Sequence, residues 1–496
     1  MKKDRLTALV LIALTAILVG CTAPAPTATP APPPPPTAAP TKPLPLTATP
    51  VPATAAPLST PTTTPTIPSA VQEYIRELVD NDYSRGVVVA LIDASGTTYY
   101  SYGRMSENGA PVDEHTIFEI GSVTKVFTAI LLADLVERGV VTLDTPIEKY
   151  LPPEVRAPER NGKKITLEHL ATHRSGLPRM PTNWNPQDLN NPDADYTTQM
   201  LYEFLSSYTL PRDPGAQYEY SNLGAGLLGH ILARLADKPY EQLVIDRISQ
   251  PLGMNDTRIT LSEEQRSRLA RGHLADGQPV GNWDFDALAG AGALRSSAVD
   301  LARFVAANLG LYKTDLYPVL QRTHQVRADT GEAGVEMALG WVVITPRGNA
   351  IICHGGGTGG YRSWVGFDPS RKVGVVVLSN SNYESIVGAI GVHLLAPQVE
   401  LPRVKKAIAV APSVLAAYTG TYQLEPGVLA DVTVENGTLL VQITGVPRYR
   451  AYPESETTFF IKVIDVQITF QKDAKGNVVG LVLHEEGKDY AAKKIK

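Results

Sequence analysis

The sequence predicts one α+β unit followed by a small all-β domain. Three observations carry this. Apolar, strand-like runs stand at 87–92 and again between 340 and 378, with a helix-rich and loop-rich middle from about 115 to 310. A single sheet would then be closed by segments far apart in the chain. Beyond residue 412 the pattern is strand and turn only. Ahead of residue 69 the chain has almost nothing to bury, so the fold starts there.

The elements follow in order. Residues 1–5 carry three positive charges and one negative, and 6–20 are apolar or small. A membrane span needs roughly 20 such residues, so this run reads as the apolar core of a signal peptide. It ends in Leu18-Val19-Gly20-Cys21, which resembles a bacterial lipoprotein lipobox. The resemblance implies cleavage before Cys21 and acylation of its sulfur and amine. The mature chain would be extracytoplasmic and held to the cell membrane by a lipid anchor, not by a transmembrane helix. Residues 22–68 hold 17 Pro, 13 Thr and 10 Ala, with Lys42 the only charge. Such a segment is expected to be a disordered, polyproline-biased spacer with an upper reach of about 150 Å.

Residues 69–81 read as a short helix with Val71, Ile75, Leu78 and Val79 on its apolar side. Residues 87–92 form a buried strand, 93–96 its turn and 97–102 the hairpin partner. An amphipathic helix is expected from about 120 to 137, and another from about 225 to 236. Strands return at 340–344, 350–353, 364–367 and 373–378, and 386–395 is the last helix. Residues 397–412 look like a linker. In the tail, 431–434 and 439–443 make a hairpin through the favoured Asn436-Gly437 turn, and 459–463, 466–470 and 478–484 continue the meander. The organisation is therefore a signal and lipidation site at 1–21, a spacer at 22–68, the main unit at 69–396, a linker at 397–412 and a small β-barrel-like domain at 413–496.

Three segments can carry chemistry. Ser122-Val123-Thr124-Lys125 opens the helix at 120. Side chains three apart share a helix face, so Lys125 can lie against Ser122. A serine hydroxyl is a poor nucleophile until a base takes its proton, and a buried amine with a lowered pKa can do so. Tyr220-Ser221-Asn222 follows a Pro214-Gly215 turn and precedes a helix. A phenol near a lysine can relay protons, and an amide can hold both the lysine and a substrate carbonyl. His354-Gly355-Gly356-Gly357 follows a strand; its glycines allow close approach, and backbone N–H groups there can stabilise an oxyanion. Each segment alone is common. The three in this order and context are not.

Together with Phe118-Glu119-Ile120-Gly121 before Ser122, with 170–178 and with 291–302, these segments resemble serine β-lactamases of class C and the related D-alanyl-D-alanine carboxypeptidases and esterases. The resemblance covers about residues 70–395. It implies a β-lactamase/transpeptidase-like fold, an antiparallel sheet with a helical subdomain. It implies Ser122 as the acylated nucleophile, with Lys125 and Tyr220 sharing proton transfer. Asn222, His354 and Gly356 would meet the substrate, and the N–H groups of Ser122 and Gly357 would form the oxyanion hole. The tail, with Tyr418-Thr419-Gly420-Thr421-Tyr422, resembles the small β-domain often appended to such hydrolases. One departure stands out: class C β-lactamases usually carry Lys where this chain has His354. A histidine near pH 7 is largely neutral, so anionic penicillins should be recognised less well than esters or peptides.

Other readings are weaker. The net charge of −5 and the lack of a Lys/Arg-rich run argue against a nucleic-acid partner. Two cysteines cannot build a disulfide framework or a Cys-rich zinc site. Cys353 reads as an apolar filler. His169 and His173 are four apart but lack the glutamate of the zinc-protease motif, so a structural role is expected. The glycines at 355–360 formally match a dinucleotide fingerprint, yet no crossover helix follows. The tail's Tyr and Phe residues are expected to be core. The expectation is a serine hydrolase, β-lactamase, carboxypeptidase or esterase, that needs no cofactor or metal. It would act through an acyl-enzyme on a small-molecule or peptide substrate, cell-wall fragments among them. The rival is a non-catalytic lipoprotein that binds such fragments, although a binder has no need of a nucleophile with its base.

Overall fold

The computed structural model describes residues 65–485 and 487–496. The signal segment, Cys21 and most of the spacer lie outside the described residues. Helix α1 (Ser69–Asp80) buries Val71, Ile75 and Leu78, one stripe at helical spacing. Ile67, assigned to the spacer by composition, is buried in the same cluster.

The hairpin is β1 (Gly86–Asp93) and β2 (Gly96–Gly103). The later strands are β3 (Ala328–Asp329), β4 (Val335–Met337), β5 (Val342–Ile344), β6 (Ile351–Gly357), β7 (Arg362–Asp368) and β8 (Val373–Ser379). They form an eight-stranded sheet in the order β2-β1-β8-β7-β6-β5-β4-β3. Every neighbouring pair is antiparallel. β1 pairs with β8 from Val87↔Ser379 to Ile92↔Gly374, so segments from the two ends of the unit close the sheet as expected. β1 is a continuous apolar run because both faces are covered. Val87, Val89 and Leu91 face the cluster of α1 and the last helix, α5 (Glu384–Leu395), while Val88, Ala90 and Ile92 face the larger core.

That larger core holds α2 (Thr124–Glu137), α3 (Asn222–Ala236) and α4 (Ala298–Asn308). α2 differs from the expected amphipathic helix: every residue from Thr124 to Leu135 is buried. It is the central helix, packed on α3 and on the short helices Ala289–Gly292 and Tyr317–Thr323, and so has no solvent face until its last turn. β6 is also longer than expected. It carries Gly355, Gly356 and Gly357 inside the strand, not in a loop after it, and they pair with Trp364, Ser363 and Arg362. The short edge strands β3 and β4 had no clear apolar alternation to announce them.

After a short helix, Pro412–Ala417, eight strands close into a barrel: β9 (Gly420–Glu425), β10 (Val428–Glu435), β11 (Thr438–Ile443), β12 (Tyr449–Pro453), β13 (Thr458–Ile461), β14 (Val466–Lys472), β15 (Val478–Glu485) and β16 (Lys488–Lys494). The expected turn sits at Asn436 (φ 47°) and Gly437 (φ 74°). β9 pairs with β16, which removes both sheet edges. Tyr418, Tyr422, Phe459 and Phe470 fill the interior, with Tyr418 and Phe470 stacked at 3.9 Å, so the aromatics are core. The barrel is seated on the first unit. Phe460 joins the α1 cluster, and Lys462 Nζ donates to Asn81 O at 2.7 Å while lying 4.1 Å from the centre of the Tyr452 ring.

Candidate active site

A short antiparallel pair, Ile117–Glu119 with Arg295–Ser297, leads the chain into a 3₁₀ turn, Gly121–Val123, that runs on into α2. Gly121 has φ +48°, and a Cβ there would lie 2.7 Å from both the N and the O of Gly357. Only glycine lets this turn rest against β6. Ser363 Oγ on β7 donates to Ile120 O at 2.7 Å and ties the turn to the sheet. Gly356 lies opposite Ser363, and a Cβ on it would overlap both atoms of that hydrogen bond. The turn thus sets the backbone of Gly121, the residue before Ser122, against that of Gly357.

Ser122 is half-buried within this turn. Lys125, one helical turn on, is only 3% exposed. Its Nζ is 2.8 Å from Ser122 Oγ and 2.7 Å from Ala291 O. Burial, and then the Arg179 guanidinium, push its pKa well below 10.5, against the pull of Asp193. Once neutral, the amine can serve Ala291 O with one N–H and accept from the Ser122 hydroxyl with its lone pair.

Ser221 caps α3: its Oγ accepts from Gly224 N at 2.8 Å and donates to Pro178 O at 2.7 Å. This places Tyr220 just before the helix and Asn222 at its first position. Burial pushes the pKa of the Tyr220 hydroxyl up to about 12, against the pull of the nearby Ser122 hydroxyl. The Tyr220 ring centre is 4.9 Å from Lys125 Nζ. On the other side the ring rests on His173, centroids 4.4 Å apart, and His173 Nδ1 accepts from Ser221 N at 3.1 Å. Burial, then the nearby Lys125, hold His173 well below 6.5, so it is a neutral support. Asn222 N donates to Arg179 O at 3.0 Å, and Asn222 Nδ2 approaches Met180 Sδ at 3.6 Å.

His354 on β6 is buried, and burial first, Lys125 second, lower its pKa to about 4. Nδ1 lies 2.6 Å from Gly355 O. A carbonyl only accepts, so Nδ1 carries the proton and Nε2 is an acceptor. Nε2 is buried and has no hydrogen-bond partner among the described residues.

A hydroxyl bonded to a depressed amine, with a phenol close by and a glycine strand against its turn at a helix start, is equipped for acyl transfer. The family model described as Beta-lactamase matches residues 71–395. The chain belongs to the beta-lactamase family. It is a serine hydrolase. A second family model, a domain of unknown function, matches residues 404–494 and so spans the barrel. Among relatives, Penicillin-binding protein 4* of Bacillus subtilis is 29% identical over 431 residues, 80% of this chain and 91% of its own. The D-alanyl-D-alanine-carboxypeptidase/endopeptidase AmpH of Escherichia coli is 32% identical over 324 residues, 62% of this chain and 82% of its own. A crystal structure of a beta-lactamase/D-alanine carboxypeptidase from Pseudomonas syringae superposes with a TM-score of 0.56 at 28% identity, covering 64% of this chain and 94% of that one.

Within this family member, the structure joins Ser122 and Lys125 by a direct hydrogen bond, brings Tyr220 beside both, and sets Gly356 and Gly357 against the Ser122 turn. His354 stands on the same strand as those glycines, and Asn222 at the start of α3. Cys353 points to the opposite face of the sheet, and burial pushes its thiol up to about 12, so it is inert. His169 and His173 each use Nδ1 to accept from a backbone N–H, the structural role expected of them. His169 Nδ1 caps a helix by accepting from Thr166 N at 3.2 Å, and no metal-binding cluster exists among the described residues. The sequence reading did not single out the Ala291 carbonyl, the contact of His173 with Tyr220, or Arg179 and Asp193. The first three lie within the 170–178 and 291–302 stretches or beside them, so a signal was present, but nothing local pointed to Ser122.

Proposed function

We propose that Ser122 is the acylated nucleophile of a hydrolase acting on an ester, amide or D-amino-acid peptide. The observation that carries this is the buried Lys125 amine, whose hydrogen-bond partners are Ser122 Oγ and Ala291 O. Lys125 Nζ takes the hydroxyl proton as Ser122 Oγ bonds to the substrate carbonyl carbon. The N–H groups of Ser122 and Gly357 hold the oxyanion. As the carbonyl–leaving-group bond breaks, Tyr220 passes a proton to the leaving oxygen or nitrogen and is reprotonated from Lys125. Water then attacks the acyl-enzyme by the same route in reverse. Lys125 is favoured over Tyr220 as the base: the amine is depressed, whereas a phenol near 12 is rarely ionised at neutral pH. Asn222 orients the substrate, and His354 supplies a neutral wall to the site.

Relatives described as D-alanyl-D-alanine-carboxypeptidase/endopeptidase and penicillin-binding protein bring cell-wall peptides into this substrate class. The lipobox-like Cys21 supports a membrane-anchored lipoprotein facing such a wall. Among the described residues no helix is long and apolar enough to cross a membrane. Turnover of a short-chain nitrophenyl ester and a chromogenic cephalosporin, with Ser122→Ala as the blank, tests the reading. The ester is expected to be the better substrate and both activities to vanish in the variant. Covalent fluorophosphonate labelling should likewise need Ser122; a folded wild type that is neither labelled nor active would mean a binding protein.

The neutral His354 also gives an expected result. His354→Lys should raise the cephalosporin-to-ester ratio of kcat/KM by about tenfold, because it restores a cation for the substrate carboxylate. An unchanged ratio would separate His354 from substrate choice.

A further inference from the structure

The walls around Ser122 are short of charge. His354 and His173 are held neutral, and Lys125 is depressed by burial. The Asp193 carboxyl is buried, raised to about 6, and accepts from Trp184 Nε1 at 3.0 Å. Among the described residues, Arg179 is a permanent cation of this wall, and the guanidinium of Arg362 lies against Gly357 on β6. Arg179 is half-buried, and its backbone carbonyl is pinned by the N–H groups of Asn222 and Leu223 at the start of α3. Its guanidinium carbon lies 5.1 Å from the centre of the Tyr220 ring, the same ring whose hydroxyl lies near Ser122. Its charge is felt by Lys125, His173, Tyr218 and Tyr220. Among the described residues no carboxylate lies within ion-pair distance of it. Arg295 and Arg327 nearby in the fold are paired, with Glu119 and Asp284 and with Glu168.

A guanidinium that no carboxylate neutralises, laid on the aromatic ring beside the nucleophile, is costly to keep without a use. Its forked donors match a carboxylate. We propose that Arg179 binds a carboxylate of the substrate and so selects anionic esters or peptides with a free carboxyl group. This rests on Ser122 being the nucleophile. It also relocates the site's cation. A carboxylate directed at His354 meets a neutral ring, whereas one directed at the Tyr220 side meets the fixed positive charge of Arg179.

The test uses the full chain and matched ester pairs. para-Nitrophenyl valerate against mono-para-nitrophenyl glutarate places the charge on the acyl half. Phenyl acetate against meta-carboxyphenyl acetate places it on the leaving half. In at least one pair the anionic-to-neutral ratio of kcat/KM should fall by about 10- to 50-fold in Arg179→Gln. Arg179→Lys should keep at least a third of the wild-type ratio. Because each ratio is taken within one protein, a general loss of folding or of Lys125 basicity cancels. The wild-type preference should also weaken as salt rises, which a merely structural arginine would not produce. A ratio unchanged within about threefold in both pairs overturns the proposal, as does a lysine variant no better than glutamine. Failure of the underlying reading is distinguishable: Ser122→Ala would then keep its turnover of the neutral esters.

Discussion

Lys125→Gln is expected to lower kcat/KM for a neutral ester by about a thousandfold while leaving the fold at least as stable at pH 7. Both halves follow from one fact, an amine buried to 3% exposure. Activity needs the neutral amine. Its pKa in the folded chain is well below 10.5, so the active form is already populated where an ordinary lysine would be fully protonated. The wild-type rate should rise with pH through that depressed value and then level off, and the variant should lose this limb. Stability runs the other way. Below 10.5 the unfolded chain holds a proton that the folded chain refuses, so burying Lys125 costs stability as pH falls from 10.5 towards the folded pKa. A glutamine of similar reach carries no such cost and can still donate to Ala291 O. Thermal melts beside pH–rate profiles would decide. A variant that keeps a tenth of the activity, or that retains the limb, would mean that Lys125 is not the base.

Gly356→Ala is expected to cut kcat about a hundredfold, the scale of losing one oxyanion donor, with a smaller change in KM. The added Cβ would overlap Ile120 O and Ser363 Oγ, the two atoms whose hydrogen bond fixes the nucleophile turn on the sheet. Relief requires the turn to leave β6, and the N–H groups of Ser122 and Gly357 then part. Gly355→Ala is the control. Its Cβ would find its nearest neighbours at 3.8 Å, on the Trp364 ring, and at 3.9 Å, on Ser363 O, which is ordinary contact. Gly355→Ala should stay within about threefold of wild type. Equal losses in the two variants would show that the strand merely dislikes side chains, and the contact of Gly356 with the turn would carry no catalytic meaning.

Much of this architecture could be read from the chain because the forces that shape it are local. Val71, Ile75 and Leu78 recur at the helical period, and the run at 87–92 is too short and too apolar for anything but a strand covered on both sides. Asn436-Gly437 marks its own hairpin. Ser122 and Lys125 are one helical turn apart, and that spacing sets their 2.8 Å contact. Where the pattern misled, the cause was tertiary. α2 reads as amphipathic but is buried on every side, since helices from three other parts of the chain converge on it. β3 and β4 owe their existence to the edge of β5, and barrel closure to the meeting of β9 with β16.

The residues of the proposed reaction are therefore written in the sequence, but the electrostatics that govern their protonation are not. Ser122, Lys125 and Tyr220 are recognisable as types in order, because helix geometry and turn chemistry act over a few residues. That the Lys125 pKa is pushed well below 10.5 depends on its burial beside Ala291, 166 residues away. That His354 supplies an acceptor and not a cation depends on burial that takes it to about 4. That Arg179 sets a fixed charge beside the Tyr220 ring depends on α3 pinning its backbone there. Desolvation and charge–charge energies are set by everything that packs around a group, and that company is assembled only when the chain folds.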